Sequence, residues 1–166
     1  MIITSSLQSN YIHPLARFVT TESVALILQV PVEKIREIRC WARVILVVGK
    51  GLSRFVSYAD LPPVVEATPP TIKDFNYWRK RRLKLKIKQA PETWGQFYAQ
   101  KFGQCLDTAE LASWGKLLGV IKMVLAESVV TALRTIYVQE KSYLETQLIG
   151  TSLNSIYPSK RAASLA

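Results

Sequence analysis

The chain has 166 residues, 49% of them hydrophobic, so it can bury a core in one domain or in two small ones. Its 22 Lys and Arg residues against 12 Asp and Glu give a formal net charge of +10, which points to a polyanionic partner, although a basic protein without such a partner fits it equally well. With two cysteines, one histidine and no Cys-x-x-Cys motif, a disulfide framework and the usual zinc sites are excluded.

The first residues carry no export pattern. Met1, Ile2 and Ile3 lead into polar residues without a basic start or a long apolar run, unlike a signal peptide. No uncharged stretch approaches the roughly 18 residues that a membrane span needs. We therefore predict a cytoplasmic protein with no membrane partner. Residues 1–16 are expected to form a partly ordered arm, and residues 17–20 a short strand.

A helix followed by a tight turn is predicted for residues 20–30. Thr21 can act as its N-cap, because the hydroxyl can accept a hydrogen bond from the free amides of a helix that begins at Glu22. Pro31 ends this helix, since a proline disfavours helical geometry at the residue before it.

A second helix is predicted over residues 32–41. Proline is tolerated in a first helical turn, and inward-facing apolar residues follow at a spacing of three: Ile35, Ile38 and Trp41. The two helices match a helix-turn-helix at four apolar positions: Ala25, Val30, Ile35 and Ile38. Gln29 departs from the pattern, because the turn usually contains glycine.

The residues after Trp41 predict a two-stranded hairpin. Residues 44–48 are rich in β-branched side chains, residues 53–56 form the return strand, and the Gly49-Lys50-Gly51 sequence suits a loop. A hairpin directly after a helix-turn-helix is typical of a wing, with Lys50 and Arg54 suited to phosphate contact. A purely structural hairpin is the alternative.

A proline-rich linker and a basic stretch are predicted next. Residues 62–71 contain four prolines and are expected to be stiff. Residues 71–90 hold eight Lys or Arg against one Asp. Residues 72–79 fit an amphipathic helix, and the strict alternation over residues 82–88 favours a strand. This stretch either follows a nucleic-acid backbone or forms a solvated face over packed apolar side chains.

The remaining residues predict long helices. One helix is expected to start at Pro91, and an apolar stripe over residues 107–148 predicts one further long helix or two end to end. So long a stripe favours a homodimer, and an intramolecular bundle is the alternative. Five aromatic residues belong either to a core or to a pocket for an unidentified small-molecule effector: Trp78, Trp94, Phe97, Tyr98 and Trp114.

Together these patterns predict a mainly α protein with a small β component. Residues 1–61 would form a winged helix-turn-helix with its N-terminal arm, and residues 62–71 a linker. Residues 72–150 would form a helical dimerisation or effector domain, and residues 151–166 a flexible tail.

Residues 17–61 resemble the MerR family of winged-helix transcriptional regulators. Lys34-Ile35-Arg36 lies where the second helix of that family carries a similar run, and residues 54–61 look like the segment that ends its wing, with Val56 in place of Tyr. The overall design is similar to the compact repressors associated with cyanobacterial type V-K CRISPR-associated transposons. The resemblance implies a DNA-binding homodimer held by a long C-terminal helix. Metal-sensing members use clustered cysteines, whereas Cys40 and Cys105 are isolated.

We expect a nucleoid-associated, sequence-specific repressor that binds an inverted repeat in double-stranded DNA as a homodimer. The residues expected to contact DNA are Arg17, Thr20, Lys34, Arg36, Arg39, Arg43, Lys50, Arg54 and Tyr58. The alternative is an architectural or excisionase-like accessory factor in transposition or recombination, with weaker sequence preference. No catalytic group, cofactor or metal is predicted, because the sequence has no cluster of metal-ligating carboxylates, no Ser-His-Asp set and no Gly-rich phosphate loop.

Overall fold

A computed structural model describes the backbone of residues 2–5 and 13–156 and the side chains of residues 13–152. The described chain is mainly helical with a small sheet, which confirms the predicted class. The strands are β1 (Ile2–Ser5), β2 (Ile35–Cys40), β3 (Ile45–Gly49) and β4 (Leu52–Val56). The α-helices are α1 (Thr21–Leu28), α2 (Ile72–Leu85), α3 (Glu92–Gln104), α4 (Thr108–Ile121) and α5 (Glu127–Ile156). Short 3₁₀ helices cover Pro14–Phe18, Val32–Lys34, Tyr58–Asp60 and Lys122–Val124.

The strands form one sheet in the order β1-β2-β3-β4. β1 lies parallel to β2, whereas β2, β3 and β4 are antiparallel neighbours. The predicted hairpin is confirmed as β3 and β4. Gly51 has a φ of 67° in its turn, a conformation that glycine adopts without strain. Gly49 allows a close approach, since an added Cβ would lie 1.9 Å from the carbonyl oxygen of Lys34.

The first predicted helix is confirmed, with its cap one residue earlier than expected. Thr20 is the N-cap of α1, and its Oγ1 accepts a hydrogen bond of 3.2 Å from the amide of Ser23. Gln29 ends the helix in the left-handed region, with a φ of 54°. The turn therefore has the conformation that glycine favours, although a glutamine occupies it.

The second predicted helix, over residues 32–41, is wrong. Only Val32–Lys34 is helical, as a 3₁₀ turn, and Ile35–Cys40 is strand β2, with β1 on one side and β3 on the other. The register shifts between Ile35 and Glu37, which marks a bulge. Side chains on one face of a strand are normally two residues apart, and a bulge adds one residue to that spacing. Ile35 and Ile38, three residues apart, therefore both face the core from a strand, as they would from a helix. Residues 20–41 therefore do not form a helix-turn-helix.

Two segments predicted as strands are helical over part of their length. The sequence predicts a strand over residues 17–20, but Pro14–Phe18 is a 3₁₀ helix. It also predicts a strand over residues 82–88, but α2 continues to Leu85 and ends at Lys86, whose φ is 56°. Leucine, lysine and arginine are strong helix formers, and no described strand lies beside these residues to pair with them.

The predicted flexible tail is helical through Ile156. Its remainder, residues 157–166, lies outside the described residues, as do residues 6–12 of the predicted arm.

The C-terminal helices fold back on one another. The predicted apolar stripe forms two helices, α4 and α5, and both α3 and α4 pack against α5. The helices approach closely at both interfaces. A Cβ added at Gly95 of α3 would lie 2.9 Å from Val129 of α5, and one added at Gly115 of α4 would lie 2.7 Å from Tyr137 of α5. The intramolecular bundle is therefore present. All five aromatic residues considered for an effector pocket are buried in the core: Trp78, Trp94, Phe97, Tyr98 and Trp114.

The proline-rich segment packs against α3. Leu61 and Val64 are buried, the indole of Trp94 donates to the carbonyl of Asp60 at 2.9 Å, and the hydroxyl of Tyr98 donates to the carbonyl of Pro63 at 2.8 Å. Buried side chains from the sheet, α1 and the helical bundle form one continuous cluster. The segment is thus no free spacer, and the division into domains stays a prediction.

An ion pair between the partly exposed Arg17 and the buried Asp74 connects the start of α2 to the Pro14–Phe18 turn. The Nη2 of Arg17 lies 2.6 Å from Oδ2 of Asp74, and its Nη1 lies 3.2 Å from Oδ1. Asp74 also accepts hydrogen bonds from the amide and hydroxyl of Thr71, which completes a capping box at the start of α2. Burial alone would raise the pKa of Asp74, but the hydrogen bonds from Arg17 and Thr71 outweigh it and lower the pKa.

We expect Arg17→Ala to lower the free energy of unfolding at neutral pH by about 3–5 kcal/mol, because it leaves the buried Asp74 without its counter-ion. Urea denaturation measures this loss. The control is Arg39→Ala, which breaks an exposed pair with Glu37 and should change stability little. The difference between wild type and Arg17→Ala should shrink as the pH falls below the usual carboxyl range. A depressed pKa gives stability that is present above the unfolded-state pKa and lost as the carboxylate protonates. A constant difference down to acid pH would contradict this role of Asp74.

Candidate nucleic-acid interface

Arg17, predicted to contact DNA, is instead a structural residue. A guanidinium has five N–H donors, and all five are engaged within the protein. Besides the two bonds to Asp74, Arg17 donates to the carbonyls of Pro14, Thr68 and Pro69. No donor is left for a phosphate.

Thr20 and Tyr58, also predicted to contact DNA, have structural roles as well. Thr20 caps α1. Tyr58 is 2% exposed, and this burial raises the pKa of its hydroxyl. The hydroxyl donates a hydrogen bond of 2.6 Å to the carbonyl of Trp41. Its ring stacks on that of His13 at 4.2 Å, and the half-buried His13 accepts a hydrogen bond from the amide of Leu15.

The other six predicted residues are exposed but spread over the sheet: Lys34, Arg36, Arg39, Arg43, Lys50 and Arg54. Lys34, Arg36 and Lys50 share the end of the sheet with the β3–β4 turn, since the amide of Lys50 donates to the carbonyl of Lys34 at 3.2 Å. Arg43 lies in the β2–β3 turn at the opposite end. Arg39 pairs with Glu37 at 2.8 Å.

No helix presents Lys34, Arg36 and Arg39 to a DNA groove, because β2 occupies the place of the predicted second helix. A strand in the middle of a four-stranded sheet cannot enter a major groove as a lone helix does. The prediction that these side chains reach base edges from a recognition helix is therefore wrong.

A second basic surface is the outer side of α2. Its exposed members recur at helical spacing: Lys73, Asn76, Lys80 and Lys84. Arg79 is exposed beside them. Within the part of the chain that the structure describes, none of these four cations forms a salt bridge. We call these five residues the α2 basic face.

The opposite side of α2 is buried, which fixes the direction of the α2 basic face. Trp78 is 1% exposed, and its ring contacts those of Phe18, Phe75 and Trp94 at centroid distances of 6.4, 5.1 and 5.4 Å. Arg81 pairs with Asp60 at 3.4 Å on the same inner side. Arg82 and Lys84, in the last turn of α2, also interact favourably with the negative end of the helix dipole.

The sequence contains a signal for the α2 basic face. The eight basic residues of this stretch are evident, but the alternation over residues 82–88 favours a strand and obscures the helical period. Counted at intervals of three and four from Lys73, three of these lysines and Asn76 line one side of a helix: Lys73, Asn76, Lys80 and Lys84.

An exposed aromatic pair on the sheet has no counterpart among the predicted residues. Trp41 is 38% and Phe55 is 60% exposed, and their ring centroids lie 5.6 Å apart. Phe55 shares the outer face of the sheet with Arg39, since both lie opposite Leu46 in the strand register. The sequence did not predict this pair, because the spacing of Ile35, Ile38 and Trp41 predicts that Trp41 faces inward from a helix, and that helix does not form.

Other kinds of site find little support among residues 13–152. No three His, Cys, Asp or Glu side chains there lie close enough to share a metal ion. No described helix is both long and apolar enough to cross a bilayer. Burial and the neighbouring acids raise the pKa of the Cys105 thiol to about 11, so this thiol stays protonated at neutral pH.

We expect Tyr58→Phe to lower the free energy of unfolding by about 1 kcal/mol, because the carbonyl of Trp41 loses its hydrogen-bond donor. DNA affinity should stay unchanged while the variant is folded. Ser53→Ala, which also removes one hydroxyl but at an exposed residue of β4, is the control and should leave stability unchanged. Lost DNA affinity in a Tyr58→Phe variant of normal stability would restore Tyr58 to the interface.

No protein-family model matches the chain, and neither the curated proteins nor the solved structures compared with it give a match. The resemblance to MerR regulators therefore rests on short sequence motifs, and one of them, Lys34-Ile35-Arg36, lies partly in a strand.

Proposed function

We propose that the protein binds duplex DNA and that α2 is the element that enters the major groove. The observation that carries this proposal is the α2 basic face, a row of cations without a salt bridge among the described residues, on a helix whose other side is buried in the core. The 14 residues of α2 form a rod of roughly 21 Å. A major groove roughly 12 Å wide admits such a helix.

The side chains of the α2 basic face suit two kinds of contact. Lys73, Lys80 and Lys84 are flexible cations that can neutralise phosphates on either side of a groove. Asn76 and Arg79 can each form paired hydrogen bonds with a base edge, Asn with adenine and Arg with guanine. One helix therefore carries groups for affinity and groups for sequence preference.

The charge distribution supports the same orientation. Residues 71–90 carry eight of the 22 basic residues, against six in residues 34–54, which form the sheet and its turns. A local excess of positive charge steers a polyanion towards the surface that carries it. This steering favours α2 over the sheet as the first point of contact.

Within this proposal, the regulatory role is a repressor that acts as a homodimer. Two copies related by a two-fold axis would place α2 in successive major grooves of an inverted repeat. Large apolar side chains are exposed along the second half of α5 and offer a surface for the second copy: Tyr143, Leu148 and Ile149. The alternative role is an accessory factor that bends DNA during transposition or recombination and has little sequence preference.

A second candidate function is binding of unpaired nucleotides on the sheet. The observation that favours it is the exposed Trp41–Phe55 pair, because aromatic rings stack on bases and nearby arginines attract the backbone. Single-stranded oligonucleotides would then bind more tightly than duplexes, and Phe55→Ala would reduce that binding.

We expect a triple variant with Lys73→Ala, Lys80→Ala and Lys84→Ala to bind random-sequence duplex more weakly and with a shallower salt dependence. The slope of log K against log salt should fall by about one unit for each phosphate that the variant no longer neutralises. Fluorescence anisotropy over a range of salt concentrations measures it. The matched control, Arg43→Ala with Lys50→Ala and Arg54→Ala, also removes three exposed cations and should leave the slope nearly unchanged. If the control variant has the shallower slope and the α2 variant keeps the wild-type slope, the hairpin is the DNA-binding surface.

We expect selection from random duplexes to enrich an inverted repeat, because a repressor dimer reads two half-sites. Asn76→Ala should weaken binding to the selected site by about 1–3 kcal/mol and leave binding to random DNA unchanged. Sedimentation of the complex should give two chains per duplex. An unenriched pool, together with DNA bending in gel mobility, would favour the accessory factor instead.

A further inference from the structure

An open cavity of about 580 Å³ lies between α4 and α5. Small residues on α4 create it: Ala112, Gly115 and Gly119. At Gly115 the helices touch, because an added Cβ would lie 2.7 Å from the ring of Tyr137. At Gly119 nothing lies within 4 Å of an added Cβ, so the cavity opens there. We call this cavity the α4–α5 groove.

The α4–α5 groove has an apolar floor and a cationic rim. Leu118 and Val130 are nearly buried and line the floor, together with the ring of Tyr137. The rim carries three exposed cations: Lys116, Lys122 and Arg134. No acidic residue lines the groove, and within residues 13–152 none of these three cations forms a salt bridge.

We propose that the α4–α5 groove binds a small anionic amphiphile, a molecule with an apolar body and a carboxylate or sulfonate head. The cavity volume of about 580 Å³ falls within the roughly 300–1,000 Å³ of small-molecule sites. The apolar body is removed from water on the floor, and the head accepts charge-assisted hydrogen bonds from the rim. This inference does not depend on DNA binding.

Charge argues against a second copy of the chain in this groove. A two-fold contact is formed by the same patch on both chains, so it would bring the three rim cations of one copy against those of the other. Like charges opposed across an interface are strongly unfavourable. A ligand that carries the opposite charge relieves the mutual repulsion of the rim cations instead.

The test uses two amphiphiles with the same alkyl chain, each below its micelle concentration. Dodecanoate carries an anionic head, and dodecyltrimethylammonium carries a cationic one. Isothermal titration calorimetry on the full chain should show one dodecanoate per protein and at least about tenfold weaker binding of the cation. Bound ligand should also raise the melting temperature.

Two glycine variants distinguish the groove from general surface adsorption. Gly119→Leu fills the open part of the groove and should reduce dodecanoate affinity at least about tenfold, since the apolar body loses its place. Gly150→Leu is the matched control, at a helical glycine that also has open space around an added Cβ, and affinity should stay unchanged. Both variants replace a poor helix former, so neither endangers folding.

A third variant tests the rim. Lys116→Gln combined with Arg134→Gln should reduce dodecanoate affinity about tenfold or more, while binding of the cationic amphiphile should not fall. Equal binding of the two amphiphiles, or unchanged affinity in Gly119→Leu, would overturn the proposal. So would a dimer that is dissociated by Gly119→Leu and not by Gly150→Leu, because it would make the groove an interface between two copies.

Discussion

The salt bridge between Arg17 and Asp74 attaches the start of α2 to the rest of the protein. Asp74 is 1% exposed, and a buried carboxylate is stable only with a counter-ion and hydrogen-bond donors around it. Arg17 supplies the counter-ion and also binds the carbonyls of Thr68 and Pro69, just before the helix. The same carboxylate caps the start of α2 through Thr71. The start of α2 therefore depends on this charge pair, and the burial of Trp78 fixes the direction of its outer face.

This arrangement divides the cations of the chain into two kinds. Arg17 and Arg81 point inward and pair with Asp74 and Asp60, so they stabilise the fold. The cations of the α2 basic face point outward without a carboxylate partner among the described residues, and they are available for a polyanion. The rim of the α4–α5 groove also carries cations that form no salt bridge within residues 13–152, above an apolar floor. Both proposals rest on positive charge that has no carboxylate partner in the described part of the chain.

Local signals predicted much of the fold. A capping hydroxyl and a proline bounded α1, two glycines bounded the β3–β4 turn, and apolar periodicity predicted the helices of the C-terminal half. These signals act over a few residues, so they do not require distant contacts. In two segments the local pattern predicted the wrong element. Isoleucines three positions apart indicate a helix unless a bulge intervenes, as it does between Ile35 and Glu37. An alternating run such as residues 82–88 becomes a strand only when another strand is present to pair with it.

The sequence alone determined that the chain is basic, mainly helical and equipped with a hairpin, because composition, caps and turns require no distant partner. It could not determine which cations are free. Arg17 and Lys73 are both basic residues in the sequence, and only the tertiary structure places the carboxylate of Asp74 against Arg17. Nor could it show that Trp41 lies on an open sheet face or that small residues of α4 leave a groove beside α5. Those features depend on contacts between residues far apart in the chain, and only the tertiary structure decides them.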